Sequence, residues 1–404
     1  MRGIAEGSQE NMDSKNFDLT RREFQLGALA AGALAALPAW ARAGEAKSVS
    51  GAESLRAHAA ARGLMFGIAV VPALLDVEGV ADGRSGDGYT RLVREQANIL
   101  VAENAMKWGA LRPSASVFDF TQADRLMRFA GLTGQLVRGH NLCWYADNPD
   151  WLKTEASKDN ARLLLTQHIE TVAGRYRGRL QSWDVVNEAI LGKDGRPDHL
   201  RKSIWVDLIG PEYIDLAFQT AARVDPQAKL TYNDYDLELD TPEHKEKREH
   251  VLQLLRGMKA RGVPIHALGV QSHIGADPGQ RYTGLVELIR ACAQMGLEVY
   301  ITEMDLNAAR TPGGDQEQDA AVAQTCRSYL GAVLAEPNVK AVLTWGIDYS
   351  MSWLNKAKFE WATRPDGALL RCLPFDDDHQ PLPAFFAIRE ALDRAPARKL
   401  AGGA

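Results

Sequence analysis

Eight short apolar runs recur along this chain, spaced so that a helix fits between each and the next. They are Phe66–Val71, Ile99–Asn104, Leu136–Trp144, Ser182–Ala189, Lys229–Leu237, Ala267–Ile274, Glu298–Leu306 and Ala341–Tyr349. Most are apolar at successive rather than alternate positions, the pattern of strands covered on both faces. Helical stretches lie between them, among others at Ala161–Tyr176, with Ser157 and Asp159 as cap candidates, at Pro242–Arg261 and at Gln316–Ala335. Eight strands alternating with helices predict a single α/β catalytic domain, a (β/α)8 TIM barrel. A doubly wound sheet needs a glycine-rich phosphate turn after an early strand, and the chain has none.

Barrels of this kind place reactive groups at the C-terminal ends of their strands. The polar residues of the eight runs fall there. Glu103 and Asn104 end the second run, Arg138, His140 and Asn141 lie late in the third, and Asn187 and Glu188 end the fourth. Asn233 and Asp234 follow in the fifth, Gln271 and His273 in the sixth, Glu303 and Asp305 in the seventh, and Trp345 in the eighth. One such charge fits a structural ion pair. Their recurrence at nearly every strand end points to one polar pocket at one mouth.

The N-terminus reads as an address. Thr20-Arg21-Arg22-Glu23-Phe24 is a twin-arginine pattern, followed by an apolar run from Leu26 to Ala41 and an Ala41-Arg42-Ala43 cleavage site. That run is shorter than the about 20 residues a spanning helix wants, so residues 1–43 are expected to be a removable export signal. The mature chain is then periplasmic or secreted, with the barrel over 44–398 and a short tail at 399–404. The formal net charge of −5, without a long basic run, disfavours nucleic acid and anionic membrane as partners. A monomer is expected. The four cysteines, Cys143, Cys292, Cys326 and Cys372, form no CxxC pair, and their spacing leaves open one disulfide or four buried thiols.

No metal-ligand spacing, nucleophile elbow or phosphate loop appears, so no metal and no cofactor is expected. The mouth instead offers Glu188 and Glu303, on the fourth and seventh runs. Glycoside hydrolysis needs two such carboxyls, one protonated to release the leaving oxygen and one ionised to attack the anomeric carbon. Their neighbours can split the two pKa values in that sense. His273 and Asp305 are placed to hold Glu303 as a carboxylate, with Asp305 fixing the tautomer of His273. Asn187 can bond a sugar 2-hydroxyl, Trp345 and Trp353 can stack on a sugar ring, and Tyr235 can serve on the far side of the cut.

These residues resemble glycoside hydrolase family 10, the barrel xylanases, from roughly Leu64 to Ala391. The blocks that carry the likeness are Glu103-Asn104-Ala105-Met106-Lys107-Trp108, Arg138-Gly139-His140 followed by Trp144, and Trp183-Asp184-Val185-Val186-Asn187-Glu188-Ala189. Gly269-Val270-Gln271-Ser272-His273, Ile301-Thr302-Glu303-Met304-Asp305-Leu306, Trp345-Gly346 and Ser352-Trp353 complete them. The resemblance implies a retaining endo-β-1,4-xylanase acting on β-1,4-xylan or xylo-oligosaccharides, with Glu188 as acid/base and Glu303 as nucleophile. It implies that Glu103, Asn104 and Lys107 bind glycone sugars, that His140 faces the sugar at the cleavage point, and that Trp144 and Gln271 line the site. Other retaining hydrolases or transglycosylases of short or decorated β-glycans share these residues, and a non-catalytic carbohydrate-binding barrel is the remaining reading. Two departures stand out. Tyr145-Ala146-Asp147 follows Trp144 where the family has His-x-Gln, and Asp236 stands where Asn is usual. A carboxylate at 147 only accepts hydrogen bonds. If desolvated there, it is expected to weaken use of plain linear xylan and favour a decorated substrate that donates to it.

Overall fold

The computed structural model describes residues 48–357 and 359–399. The expected export signal, and residues 400–404 of the tail, lie outside the described residues. The strands are β1 (Met65–Val70), β2 (Ile99–Ala102), β3 (Leu136–His140), β4 (Ser182–Asn187), β5 (Lys229–Asp234), β6 (Ala267–Val270), β7 (His273–Gly275), β8 (Glu298–Asn307) and β9 (Val339–Thr344). All their pairings are parallel. The order runs β1 to β6, then β8 and β9, and β9 returns to β1 in the register Phe66↔Val342, closing a barrel of eight. The run expected as one sixth strand is two, β6 and the short β7, both paired to β8. The break falls at Ser272, whose φ of +67° is left-handed and cannot continue a strand.

Alternate residues of each strand serve two layers. Phe66, Ile68 and Val70 of β1, Trp183 and Val185 of β4 and Val299 and Ile301 of β8 pack outward into the large core shared with the helices. Ala69, Ile99, Val101, Tyr300, Ala341 and Leu343 form a separate small cluster, the filling of the barrel interior. Trp183 lies across Gly139 of β3, where an added Cβ would meet its ring at 2.1 Å, so no larger residue than glycine fits there.

The two-residue alternation slips on two strands. On β4 the register shifts between Asp184 and Val186, and both Val185 and Val186 face the outer core. On β8 it shifts between Ile301 and Met304. The first lies just before Asn187 and Glu188, and the second spans Glu303. Bulges of this kind re-aim side chains next to active sites. Here they turn Asn187 and Glu303 inward at positions where regular pleating would send them to the helices.

Helix boundaries fall within two residues of expectation: Ala161–Arg175, Pro242–Ala260 and Asp315–Val333. The cap of the first differs. Asn160 precedes it and accepts the Ser157 N–H at 2.7 Å, so neither Ser157 nor Asp159 caps the helix. The four cysteines are buried and unpaired, which removes the disulfide alternative. Burial pushes the thiols of Cys292, Cys326 and Cys372 up to about 12, so they are inert at neutral pH.

Candidate active site

The chain leaves β4 through Glu188, which takes a left-handed φ of +57°. A non-glycine residue in that conformation costs about 1–3 kcal/mol and is held only by its surroundings. Two contacts hold it: its N–H donates to the Asn233 carbonyl at 2.8 Å, and its own carbonyl accepts the Arg201 Nε–H at 2.9 Å. The side chain is buried. Oε1 accepts from Asn187 Nδ2 at 3.0 Å and from Gln271 Nε2 at 2.9 Å, while buried Oε2 makes no hydrogen bond. Burial raises the pKa of this carboxyl above the ordinary carboxylate range, against the lowering influence of Arg201, of the Gln271 bond and of the nearby Trp144 indole, which does not reach hydrogen-bond geometry. Its neutral form therefore carries a proton available to whatever enters beside it.

Glu303 has the opposite surroundings. Oε1 accepts from Asn233 Nδ2 at 2.7 Å and Oε2 faces His273 Nε2 at 3.3 Å. Burial alone would raise its pKa, but the His273 bond, the His140 and His273 imidazoles and Asn233 hold it down to about 2. His273 is fixed from its other side by Asp305, Nδ1 to Oδ1 at 3.0 Å, and Asp305 accepts the Trp353 indole N–H on Oδ2 at 2.7 Å. Burial opposes a charge on His273, but Asp305 and Glu303 raise its pKa well above that of free imidazole. It is then an imidazolium donating at both nitrogens.

The other expected residues gather around this pair. The His140 ring is fixed by Nδ1 on Asp184 at 2.9 Å and meets Trp345 edge-on at 5.3 Å between centroids. His273 meets Trp345 at 6.3 Å and Trp353 at 5.1 Å, so the two indoles and two imidazoles form one wall. Asn104 donates to Glu103 at 3.3 Å and accepts from Lys107 Nζ at 2.8 Å, and that ammonium lies 5.0 Å over the Trp144 ring. Asn187 is engaged at both ends of its amide, to Glu188 and to Asn233 at 2.8 Å. A sugar 2-hydroxyl can reach only its second N–H or a remaining lone pair of its oxygen.

Three contributions to the site are not evident from strand-end reasoning. Asn233 was visible as a strand end, but not as the bridge it is: one amide joins Glu303 to Asn187, and its oxygen accepts from Thr302 at 2.7 Å. Arg201 is buried in a loop thirteen residues past Glu188. It holds the Glu188 carbonyl, donates to the Tyr235 hydroxyl at 2.5 Å and lies 3.9 Å over the Tyr145 ring. Glu238 is 1% exposed and reaches the Ser272 N–H at 2.8 Å, between the two residues that bond the glutamates.

Arg201 revises the reading of the 145–147 departure. Asp147 is exposed, so no desolvation penalty attaches to its carboxylate, and its backbone carbonyl accepts from Gly109 at 2.9 Å. Tyr145 is the residue of this loop whose ring lies against the buried Arg201 guanidinium. A cation–π contact of this kind contributes about 0.5–2 kcal/mol. Tyr145→Ala is accordingly expected to lower kcat/KM on linear xylo-oligosaccharides by about twofold to thirtyfold, and Asp147→Gln by less than twofold. Equal effects of the two substitutions would return the loop's influence to Asp147.

Residues 54–391 match the family model described as glycosyl hydrolase family 10. A β-1,4-xylanase of Dictyoglomus thermophilum is 36% identical over 317 residues, covering 74% of this chain and 83% of that protein. The crystal structure of xylanase 10B from Thermotoga maritima superposes with a TM-score of 0.74 at 32% identity, over 84% of this chain and 98% of that one. Xylanase 10B of Thermotoga petrophila, solved with xylobiose, superposes equally at 0.74 and 32% identity, over 87% and 99%. The family match spans the whole barrel together with every strand-end residue described above, and the chain belongs to glycosyl hydrolase family 10.

Proposed function

We propose that the protein is a retaining endo-1,4-β-xylanase that cleaves internal bonds of xylan and xylo-oligosaccharides. The observation that carries the reading is the opposite bias of two buried carboxyls at one barrel mouth: Glu188 raised, Glu303 held at about 2. Glu303 attacks the anomeric carbon as the bond to the leaving oxygen breaks. Glu188 gives its proton to that oxygen, the unbonded Oε2 being the group free to do so. Glu188, now anionic, takes a proton from water, which displaces Glu303 and restores the starting configuration. Trp345 and Trp353 offer ring faces to the sugar, Glu103, Asn104 and Lys107 bond glycone hydroxyls, and Tyr235, tied to Arg201, borders the aglycone side. The names of the relatives and the xylobiose in the Thermotoga petrophila structure support xylan over other β-glycans.

The test is a digest of β-1,4-xylan, mixed-linkage glucan, cellulose and mannan, with the anomeric form of the first products followed by NMR. Xylan should give a ladder of short oligomers of β configuration. First products of α configuration, or a preference for mannan or cellulose, would overturn the proposal.

Export by the twin-arginine route belongs to the same proposal. Arg21→Lys combined with Arg22→Lys should leave xylanase activity in the cytoplasm. Unchanged export of that precursor would replace the twin-arginine reading with an ordinary secretory signal.

A further inference from the structure

Outside the cleft, the loop that follows Glu188 meets the helix Pro242–Ala260 through three groups whose chemistry the hydrolysis does not use. His199 comes from the loop, and Glu246 and His250, one turn apart, from the helix. One ligand-competent atom from each lies within 4.8 Å of the others. The two imidazoles are stacked, centroids 3.5 Å apart and planes 12° from parallel, and His250 Nε2 faces Glu246 Oε1 at 3.4 Å. His199 is held in place by its backbone. It has a left-handed φ of +56°, and its carbonyl accepts the Leu191 N–H at 2.9 Å. Gly192 completes the niche: a Cβ there would sit 3.0 Å from Glu246 Oε1 and 3.9 Å from the His250 ring. The loop backbone thus runs within contact distance of the pair.

We propose that His199, Glu246 and His250 form a binding site for a divalent cation of the zinc class, which fastens the loop after the acid/base to the neighbouring helix. Two imidazoles and a carboxylate are a common donor set for zinc, with water as fourth ligand. Zinc takes nitrogen at about 2.0–2.1 Å, so binding draws the three atoms inward. Glu246 is exposed and free to swing, and one imidazole leaves the stack to aim its lone pair at the ion. The loop is suited to transmit the constraint. Its two limbs are bridged at Ile190 and Leu200, the Arg201 N–H donates to the Ala189 carbonyl at 2.7 Å, and Arg201 then holds the Glu188 carbonyl. An ion at His199 therefore anchors the outer end of a loop whose inner end fixes the acid/base residue.

Zinc chloride titrated into the metal-free protein by calorimetry is expected to show one site per chain and to raise Tm, reversed by EDTA. His199→Ala and His250→Gln should each weaken that site at least tenfold. The metal-free Tm and metal-free xylanase activity of each variant report whether it is folded. Absence of zinc binding by the folded wild type overturns the proposal. So does binding of unchanged affinity in both folded variants, which would put the ion on other side chains.

Discussion

Glu188→Ala should lower kcat/KM for linear xylo-oligosaccharides by about 10²–10⁴-fold, the range of a lost general acid, and lower it far less for an aryl xyloside with an acidic phenol. A sugar hydroxyl leaves only if protonated as the bond breaks, whereas a nitrophenolate leaves unaided. The ratio of the two losses therefore isolates proton donation from any general damage to the site. Deglycosylation needs the same carboxylate as a base, so the variant should accumulate glycosyl-enzyme on the aryl substrate. Azide, a nucleophile that needs no base, should restore turnover. Glu303→Gln should abolish reaction with both substrates, because an amide cannot form the covalent intermediate. The pH profile follows from the same two groups. Activity is lost as pH rises through the raised pKa of Glu188, because the donor proton leaves. It is lost at the acid end only as Glu303 protonates at about 2. In Glu188→Ala the alkaline limb of kcat/KM should vanish for the aryl substrate. Equal losses on both substrates, or an alkaline limb that survives, would take the acid role away from Glu188.

What could be read from the sequence, and what could not, divides along a physical line. Residues that project from a strand end are visible, because position along a buried strand predicts which end meets the mouth. His140, Glu188, Gln271, His273 and Glu303 were placed that way, and the structure brings them together. Departures from regular pleating are not visible. Strict alternation would send Glu303 outward with Ile301, and only the slip on β8 turns it in. A single φ of +67° at Ser272 divides the sixth run, and serine gives no sign of it as glycine would. Arg201 was hidden for another reason. It lies in an aperiodic loop and acts through a backbone carbonyl, so neither pattern nor chemistry marks it out. Trp144, expected in the third strand, lies past its end, and the chain there is held by polar side chains: its carbonyl accepts from the Trp205 indole at 2.9 Å and from Asn148 at 3.2 Å.

Glu238 carries the second large expectation. Its buried carboxyl accepts the Leu237 N–H on one oxygen and the Ser272 N–H on the other, each at 2.8 Å. Ser272 sits in a left-handed turn whose two neighbours are Gln271, bonded to Glu188, and His273, bonded to Glu303. Its hydroxyl is further fixed by Tyr329 at 2.6 Å. One carboxyl thus bonds the turn that positions Gln271 and His273 against Glu188 and Glu303. Glu238→Gln keeps the volume but replaces one acceptor with an NH2 that confronts a backbone N–H. Leaving a buried donor unmet costs about 1–3 kcal/mol, and a misplacement of about 1 Å at reacting groups costs about 10²-fold in rate. The variant should therefore lose about tenfold to a hundredfold in kcat, with KM changed little because Glu238 is buried behind the turn and bonds backbone N–H groups. Stability supplies an independent readout. Burial first, and then the charge of Asp236, raise the Glu238 pKa to about 7 from a reference of 4.5. A carboxyl raised in the folded state gives a contribution fully present below the unfolded value and lost as pH rises through the folded one. Wild-type stability should hence carry a decline between about pH 4.5 and 7 that Glu238→Gln lacks. Asp236→Asn, which restores the residue usual in the family, should narrow that window by lowering the folded pKa of Glu238. A Glu238→Gln variant with wild-type kcat and an unchanged pH dependence of Tm would show that the Ser272 turn is held by Tyr329 and the β7–β8 pairing alone.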